Sequence, residues 1–116
     1  MDNVLKEKSF SFALRVVKLA RYLKRDKREY VISKQVLRSG TSVGALICEA
    51  EYAQSKPDFI NKLSISLKEA NETYYWLRLL YEGNYISEIM FKSIKPQINE
   101  LIKLLTSSIK TAKEKK

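Results

Sequence analysis

Residues 59–81 read FINKLSISLKEANETYYWLRLLY, one helix whose apolar residues exceed a single face. Phe59, Leu63, Leu67, Ala70, Tyr74, Leu77 and Tyr81 recur at the three-and-four spacing of one stripe. Ile65, Thr73, Trp76, Leu79 and Leu80 carry the apolar surface further round. One stripe is enough for one core, so the excess predicts that part of this helix is covered by a neighbouring subunit.

Working outward, Lys56-Pro57-Asp58 marks where this helix starts. Proline disfavours a helical residue before it and fits a first helical turn. Ser55 is then the N-cap, with Asp58 completing an approximate capping pattern, and Gly83-Asn84 ends the helix in a left-handed cap. A fourth helix begins near Ser87 and carries Ile94, Ile98, Leu101, Leu105 and Ile109 on one stripe, with a kink expected at Pro96. The basic end, residues 111–116, reads as frayed.

Towards the N-terminus, a first helix is predicted from about Leu5 to Lys24, with Phe12, Val16, Leu19 and Leu23 inward. Arg15, Lys18, Arg21, Tyr22 and Arg25 lie towards solvent. Residues 25–29, RDKRE, have no apolar member and make a tight connection. A second helix, about Tyr30 to Tyr52, contains two glycines, Gly40 and Gly44, each costing about 1 kcal/mol against alanine in a helix interior. Leu37, Thr41, Gly44 and Cys48 nevertheless keep helical spacing across them, which favours a continuous helix. Four helices with short connections predict a single all-α domain over residues 1–116, an up-down-up-down antiparallel four-helix bundle.

The totals agree with this. The chain has 116 residues, three glycines and two prolines, the composition of helices joined by short turns. A single cysteine, Cys48, rules out an intramolecular disulfide and fits a reducing cytoplasm. The start, MDNVLKEKSFSF, lacks a signal peptide's unbroken apolar core, and no run is long enough to span a bilayer, so no membrane role is expected. The net charge of +9 is concentrated at the ends. Residues 1–32 hold nine Lys/Arg against four Asp/Glu, residues 92–116 seven against two, and residues 33–91 six against seven. In an up-down bundle the first and fourth helices are neighbours, so the two basic segments are expected on one side.

No histidine is present. That removes the commonest general base and metal ligand and every Ser-His or Cys-His arrangement, so no enzyme activity, cofactor or metal is expected. Glu69 and Glu72 sit one turn apart with Glu49 able to face them, but carboxylate metal bundles pair Glu with His at a spacing this chain lacks. These glutamates read instead as partners for Arg38, Lys68 or Arg78. Gly40-x-x-x-Gly44 lacks the Gly-Lys-Ser/Thr ending of a phosphate loop and reads as a seam admitting another helix. Cys48 reads as a buried small hydrophobe, and Tyr74, Tyr75, Trp76 and Tyr81 as core or interface rather than base-stacking groups.

The wording of two segments resembles a known family. Leu37-Arg-Ser-Gly-Thr-Ser-Val-Gly-Ala45 with Glu49-Ala50 is one. The other is Asp58-Phe59 with Lys62-Leu-Ser-Ile-Ser-Leu-Lys-Glu-Ala70, Glu72-Thr73 and Tyr75-Trp-Leu-Arg-Leu-Leu80. Both are similar to the bacterial four-helix-bundle family of proteins encoded in intervening sequences of 23S ribosomal RNA genes, related to accessory variability proteins of diversity-generating retroelements. The resemblance implies a homopentameric ring and nucleic-acid binding through a basic surface, and it supports a helical Gly40–Gly44 segment. Relatives commonly have asparagine where this chain has Leu46, so a polar role at that position does not carry over.

Arg15, Lys18, Arg21, Lys24, Arg25 and Lys103 are accordingly the candidate phosphate contacts on RNA or DNA. Arg38, Gly40, Gly44, Glu69, Glu72, Trp76 and Arg78 are the candidate structural or oligomer-forming residues. The same positive charge also fits a solvated face that keeps a protein-interaction module soluble.

Overall fold

A computed structural model describes residues 3–115; Met1, Asp2 and the last residue of the basic tail, Lys116, lie outside it. Four α-helices follow one another: α1 (Asn3–Asp26), α2 (Ile32–Glu51), α3 (Lys56–Glu82) and α4 (Glu88–Glu114). No strand occurs among the described residues. The helical part of the tail extends to Glu114, past the point where the sequence predicts fraying. At 1.5 Å per residue the longest helices span about 40 Å, and the 50 × 21 × 19 Å molecule is therefore two helices wide in each short direction.

Each helix packs on its chain neighbours, and α4 closes back on α1 over the least extensive of the four contacts. The pairings run in opposite directions. Lys6 reaches Glu51 while Gly40 faces Val16, Ser39 meets Thr73 while Val43 meets Ser66, and Lys8 reaches Glu100 while Arg15 reaches Ser93.

Local chemistry explains the boundaries. Ser55 caps α3 by accepting from the Asp58 amide at 3.2 Å, and the Asp58 carboxylate accepts from the Gln54 amide in return. Ser87 caps α4 through the Met90 amide. The left-handed residue after α3 is Asn84, with φ 67°, rather than Gly83, since asparagine tolerates that region better than other non-glycine residues. The connection after α1 turns on a second left-handed residue, Arg28. It delivers the buried Glu29 carboxylate to the start of α2, where it accepts from the amides of Ser33 at 2.7 Å and Val31 at 3.3 Å. Glu29 thus replaces the side-chain cap that Val31 cannot supply. Pro96 lies inside α4 without ending it. In the turn that its ring crowds, the Ser93 carbonyl accepts a hydrogen bond from Arg15 at 3.0 Å.

The core joins Phe12, Val16 and Leu23 of α1 to Val36, Val43 and Ile47 of α2, Leu63, Leu77 and Leu80 of α3, and Ile98, Leu101 and Leu105 of α4. Two features depart from the sequence reading of α3. Thr73 and Leu80, counted there as excess apolar surface, are fully buried within the subunit, and so is Ser66. The buried row of α3 is therefore Leu63, Ser66, Ala70, Thr73, Leu77 and Leu80. Its hydroxyls are tolerated because α2 answers them: Ser66 Oγ donates to the Val43 carbonyl at 2.9 Å, and Thr73 Oγ1 pairs with Ser39 Oγ at 2.8 Å. Of the apolar excess, Ile65 and Leu79 are exposed and Trp76 is half-buried, and Tyr75, outside that set, is exposed beside them.

Gly40 and Gly44 form a seam inside the subunit. An added Cβ at Gly40 would stand 2.9 Å from both methyls of Val16, and one at Gly44 3.2 Å from Ser9 Oγ. The helix they admit is α1 of the same chain. Cys48 is exposed rather than buried, because Ile47 takes the inward position in that turn and the next residue, about 100° round the helix, points outward.

Candidate nucleic-acid interface

Positive charge gathers where α1 ends. Lys18, Arg21, Lys24, Arg25, Lys27 and Arg28 are all exposed. Carboxylates that would neutralise them are used elsewhere. Glu29 is turned inward onto the α2 amides, and Asp26 binds Arg25, whose guanidinium is held above its ordinary pKa chiefly by that hydrogen bond. No ion pair involves Lys18, Arg21, Lys24, Lys27 or Arg28 among the described residues. A dense, uncompensated set of cations on one helix end is the surface that phosphates seek.

The six candidate cations divide into three situations. Lys18, Arg21, Lys24 and Arg25 belong to this α1 cluster. Arg15 is a clip between helices: its guanidinium donates to the Ser93 carbonyl, Ser93 Oγ and Gln97 Oε1. Lys103 sits on α4 with Lys92, Lys95 and Asn99 along a shallow surface lined by α4 alone. The Lys8–Glu100 ion pair ties that end of α4 to the start of α1, and Lys8 lies about 25 Å along the helix from Arg25. The expected single basic side is therefore two patches. On α4 the row facing α1 is Ser93, Gln97 and Glu100, and the lysines follow a different row.

The residues expected to be structural form one network and one separate pair. Arg38 donates to Glu69 at 3.0 Å and to Glu72. The Trp76 indole N–H donates to the same Glu72 carboxylate at 2.9 Å, so α2 and α3 are bolted on their outer side. Arg78 instead pairs with Glu82 one turn on, and this hydrogen bond holds it above its ordinary pKa. Glu49 binds Lys62, and Lys68 pairs with neither glutamate. Among the described residues no group of three metal-ligating side chains converges. No helix among the described residues is long and apolar enough to cross a membrane.

Two groups escaped the sequence reading. Tyr22, placed towards solvent there, is half-buried beside α4 and shares an apolar groove of about 300 Å³ with Leu19, Ile86, Met90 and Ile94. Its signal was its spacing of three residues from the buried Leu19. Glu29, read as part of a charged connection, is the buried cap that leaves the basic turn uncompensated; its signal was its place just before α2, two and four residues from the amides it accepts from.

No curated protein matches the chain. Among solved structures it is similar to a crystal structure of a protein of unknown function from the S23 ribosomal protein family of Bacteroides thetaiotaomicron, with 56% identity, TM-score 0.92, and coverage of 93% of this chain and 96% of that one. The family model described as 23S rRNA-intervening sequence protein matches residues 1–107. With residues 1–107 of 116 matched, this chain belongs to the 23S rRNA-intervening sequence protein family.

Proposed function

We propose that the protein is a non-enzymatic, cytoplasmic, oligomeric scaffold that binds nucleic acid through its basic surface. The observation that carries this reading is the uncompensated cluster of Lys18, Arg21, Lys24, Lys27 and Arg28 at the end of α1, with Glu29 withdrawn into the α2 cap. The family's description supports it by association with ribosomal RNA genes. Arg25 joins the cluster when a phosphate displaces Asp26, and Lys103 belongs to a secondary patch on α4. Binding of this kind depends on counterion release and reads sequence weakly.

Fluorescence anisotropy at low salt with a structured RNA and a duplex DNA tests the reading. Binding that weakens steeply with salt is expected; no binding to either would falsify it. Replacing Arg21 and Arg25 together by Glu weakens binding and lowers the salt slope by about two.

Exposed apolar side chains support self-association: Ile65, Tyr75 and Leu79 on α3, and Phe10 and Leu14 on α1. Two such faces on different sides of one protomer suit a head-to-tail ring, and a pentamer is the number that the family resemblance implies. Light scattering at micromolar protomer concentration is expected to return five protomers, and a monomeric mass refutes the assembly. The same apolar faces favour the alternative, a protein-interaction module with no nucleic-acid role. Stoichiometric recovery of one protein partner after nuclease treatment, with no RNA or DNA binding, selects it.

A further inference from the structure

The groove between α1 and α4 combines three properties that the basic cluster alone does not have. Its floor is apolar, formed by the buried Leu19, Ile86 and Ile94. Tyr22 and Met90, both half-buried, stand on its two sides. At its rim are Lys18, exposed and without an ion pair among the described residues, and Arg15, anchored to Ser93 and Gln97. The groove exists because α1 and α4 meet least closely of the four neighbouring pairs. Its volume of about 300 Å³ lies at the small end of ligand sites.

Charge complementarity selects the occupant. The nearby carboxylates are committed: Asp26 to Arg25, Glu88 to Lys92, Glu82 to Arg78 and Glu29 to the α2 amides. An occupant must therefore bring a flat or apolar body to the floor and negative charge to the rim. Lys18, Tyr22 and Arg25 follow one another at four and three residues on the same face of α1; Lys18 and Tyr22 line the mouth, and Arg25, paired with Asp26 until a phosphate displaces it, lies one turn beyond the lining. Aromatic rings flanked by cations suit nucleic acid whose bases are unstacked, because every base has a face to stack and a phosphate on either side. A perfect duplex keeps its bases stacked and cannot use the floor.

We infer that the α1–α4 groove accepts an unpaired nucleotide, its base against Tyr22 and its flanking phosphates on Lys18 and Arg25. This rests on the proposed nucleic-acid binding and names its substrate class, single-stranded or bulged rather than fully paired nucleic acid.

The test is anisotropy at low salt with a perfect duplex, the same duplex carrying one bulged 2-aminopurine, and an unstructured strand of equal length, each as RNA and as DNA. The bulged and single-stranded probes are expected to bind about tenfold tighter than the duplex, with 2-aminopurine emission quenched on binding. Tyr22→Ala removes that preference and leaves duplex affinity unchanged, whereas Tyr22→Phe, which keeps the ring, retains it. Tyr22→Leu keeps an apolar side chain in the groove but no aromatic face, leaves the charge unaltered and also removes the preference, so it serves where Tyr22→Ala fails to fold by circular dichroism. Equal affinity for bulged and perfect duplexes, or a preference that survives Tyr22→Leu, overturns the insertion while the basic-surface reading stands. No binding to any probe defeats both.

Discussion

Gly40→Ala sets two known effects against each other at one atom. In an ordinary helix interior the added methyl stabilises by about 1 kcal/mol, because glycine loses more backbone entropy on folding. Here the new Cβ would stand 2.9 Å from both Val16 methyls, whereas ordinary contact begins at 3.4 Å, so α1 and α2 must part by about half an ångström. Val16 is fully buried, and its β-branched side chain has essentially one rotamer in a helix, so it cannot swing away. Overpacking of this kind costs about 1–3 kcal/mol. The clash outweighs the propensity gain, and a net loss of about 1 kcal/mol is expected, lowering the thermal midpoint by about 4 °C. Gly44→Ala is the control: its Cβ meets Ser9 Oγ at 3.2 Å and Ser9 Cβ at 3.4 Å, a shortfall small enough that the change is neutral or stabilising by up to about 1 kcal/mol. Urea unfolding followed by circular dichroism measures both, at one protomer concentration because assembly would add its own stability. Val16→Ala in the Gly40→Ala background should cost less than the two single changes summed. A Gly40→Ala protein more stable than the parent would refute the close approach of α1 and α2.

Other expectations follow from the α2–α3 contact and the start of α4. Thr73→Val removes the partner of the buried Ser39 hydroxyl and should cost about 1–2 kcal/mol; Ser39→Ala in the same background recovers part of it, as urea midpoints of the four proteins will show. Arg38→Ala leaves Glu69 and Glu72 side by side without their shared cation, for a loss of about 1 kcal/mol, and the emission of Trp76, the single tryptophan, shifts as its Glu72 partner moves. Glu88 has its carboxyl pKa lowered, chiefly by the hydrogen bond from Lys92 and then by its charge. Its small contribution to stability is therefore complete above the ordinary glutamate pKa and disappears as pH falls through the lower, folded value. An NMR titration of Glu88 should show a midpoint below that of glutamate in a model peptide, and one at or above it contradicts the pairing.

Much of the fold is legible along the chain. The Ser55 cap lies at the predicted position and the fourth helix starts beside Ser87 as expected, because capping is a contact over three residues and its partners are neighbours in sequence. The continuity of α2 through Gly40 and Gly44 is legible from spacing. What faces those glycines is not, since Val16 and Ser9 are more than twenty residues away. The buried row of α3 shows the limit most clearly. Polarity alone would place Ser66 and Thr73 outside and leave Leu79 to choose, yet the two hydroxyls are buried because Val43 O and Ser39 Oγ stand opposite them, while Leu79 is exposed.

The candidate site divides in the same way. That charge concentrates at both chain ends is a property of composition. Whether two basic helices make one surface depends on how each is rotated about its axis, and the core residues set that rotation: with Ile94, Ile98 and Leu101 inward, α4 turns Ser93, Gln97 and Glu100 towards α1 and carries Lys103 past it.

Taken by itself, the sequence determined four amphipathic helices, their order, the Ser55 cap, the absence of histidine chemistry and the family wording around Leu37–Ala45 and Asp58–Leu80, because each is a local pattern or a property of residue type. Tertiary structure alone decided that the glycine seam closes within the subunit, that Thr73 and Leu80 leave α3's surplus for the core, that Arg15 is a clip, and that Tyr22 borders a groove with cations at its rim. These depend on which side chains, distant in sequence, the packed core brings within a few ångströms of one another.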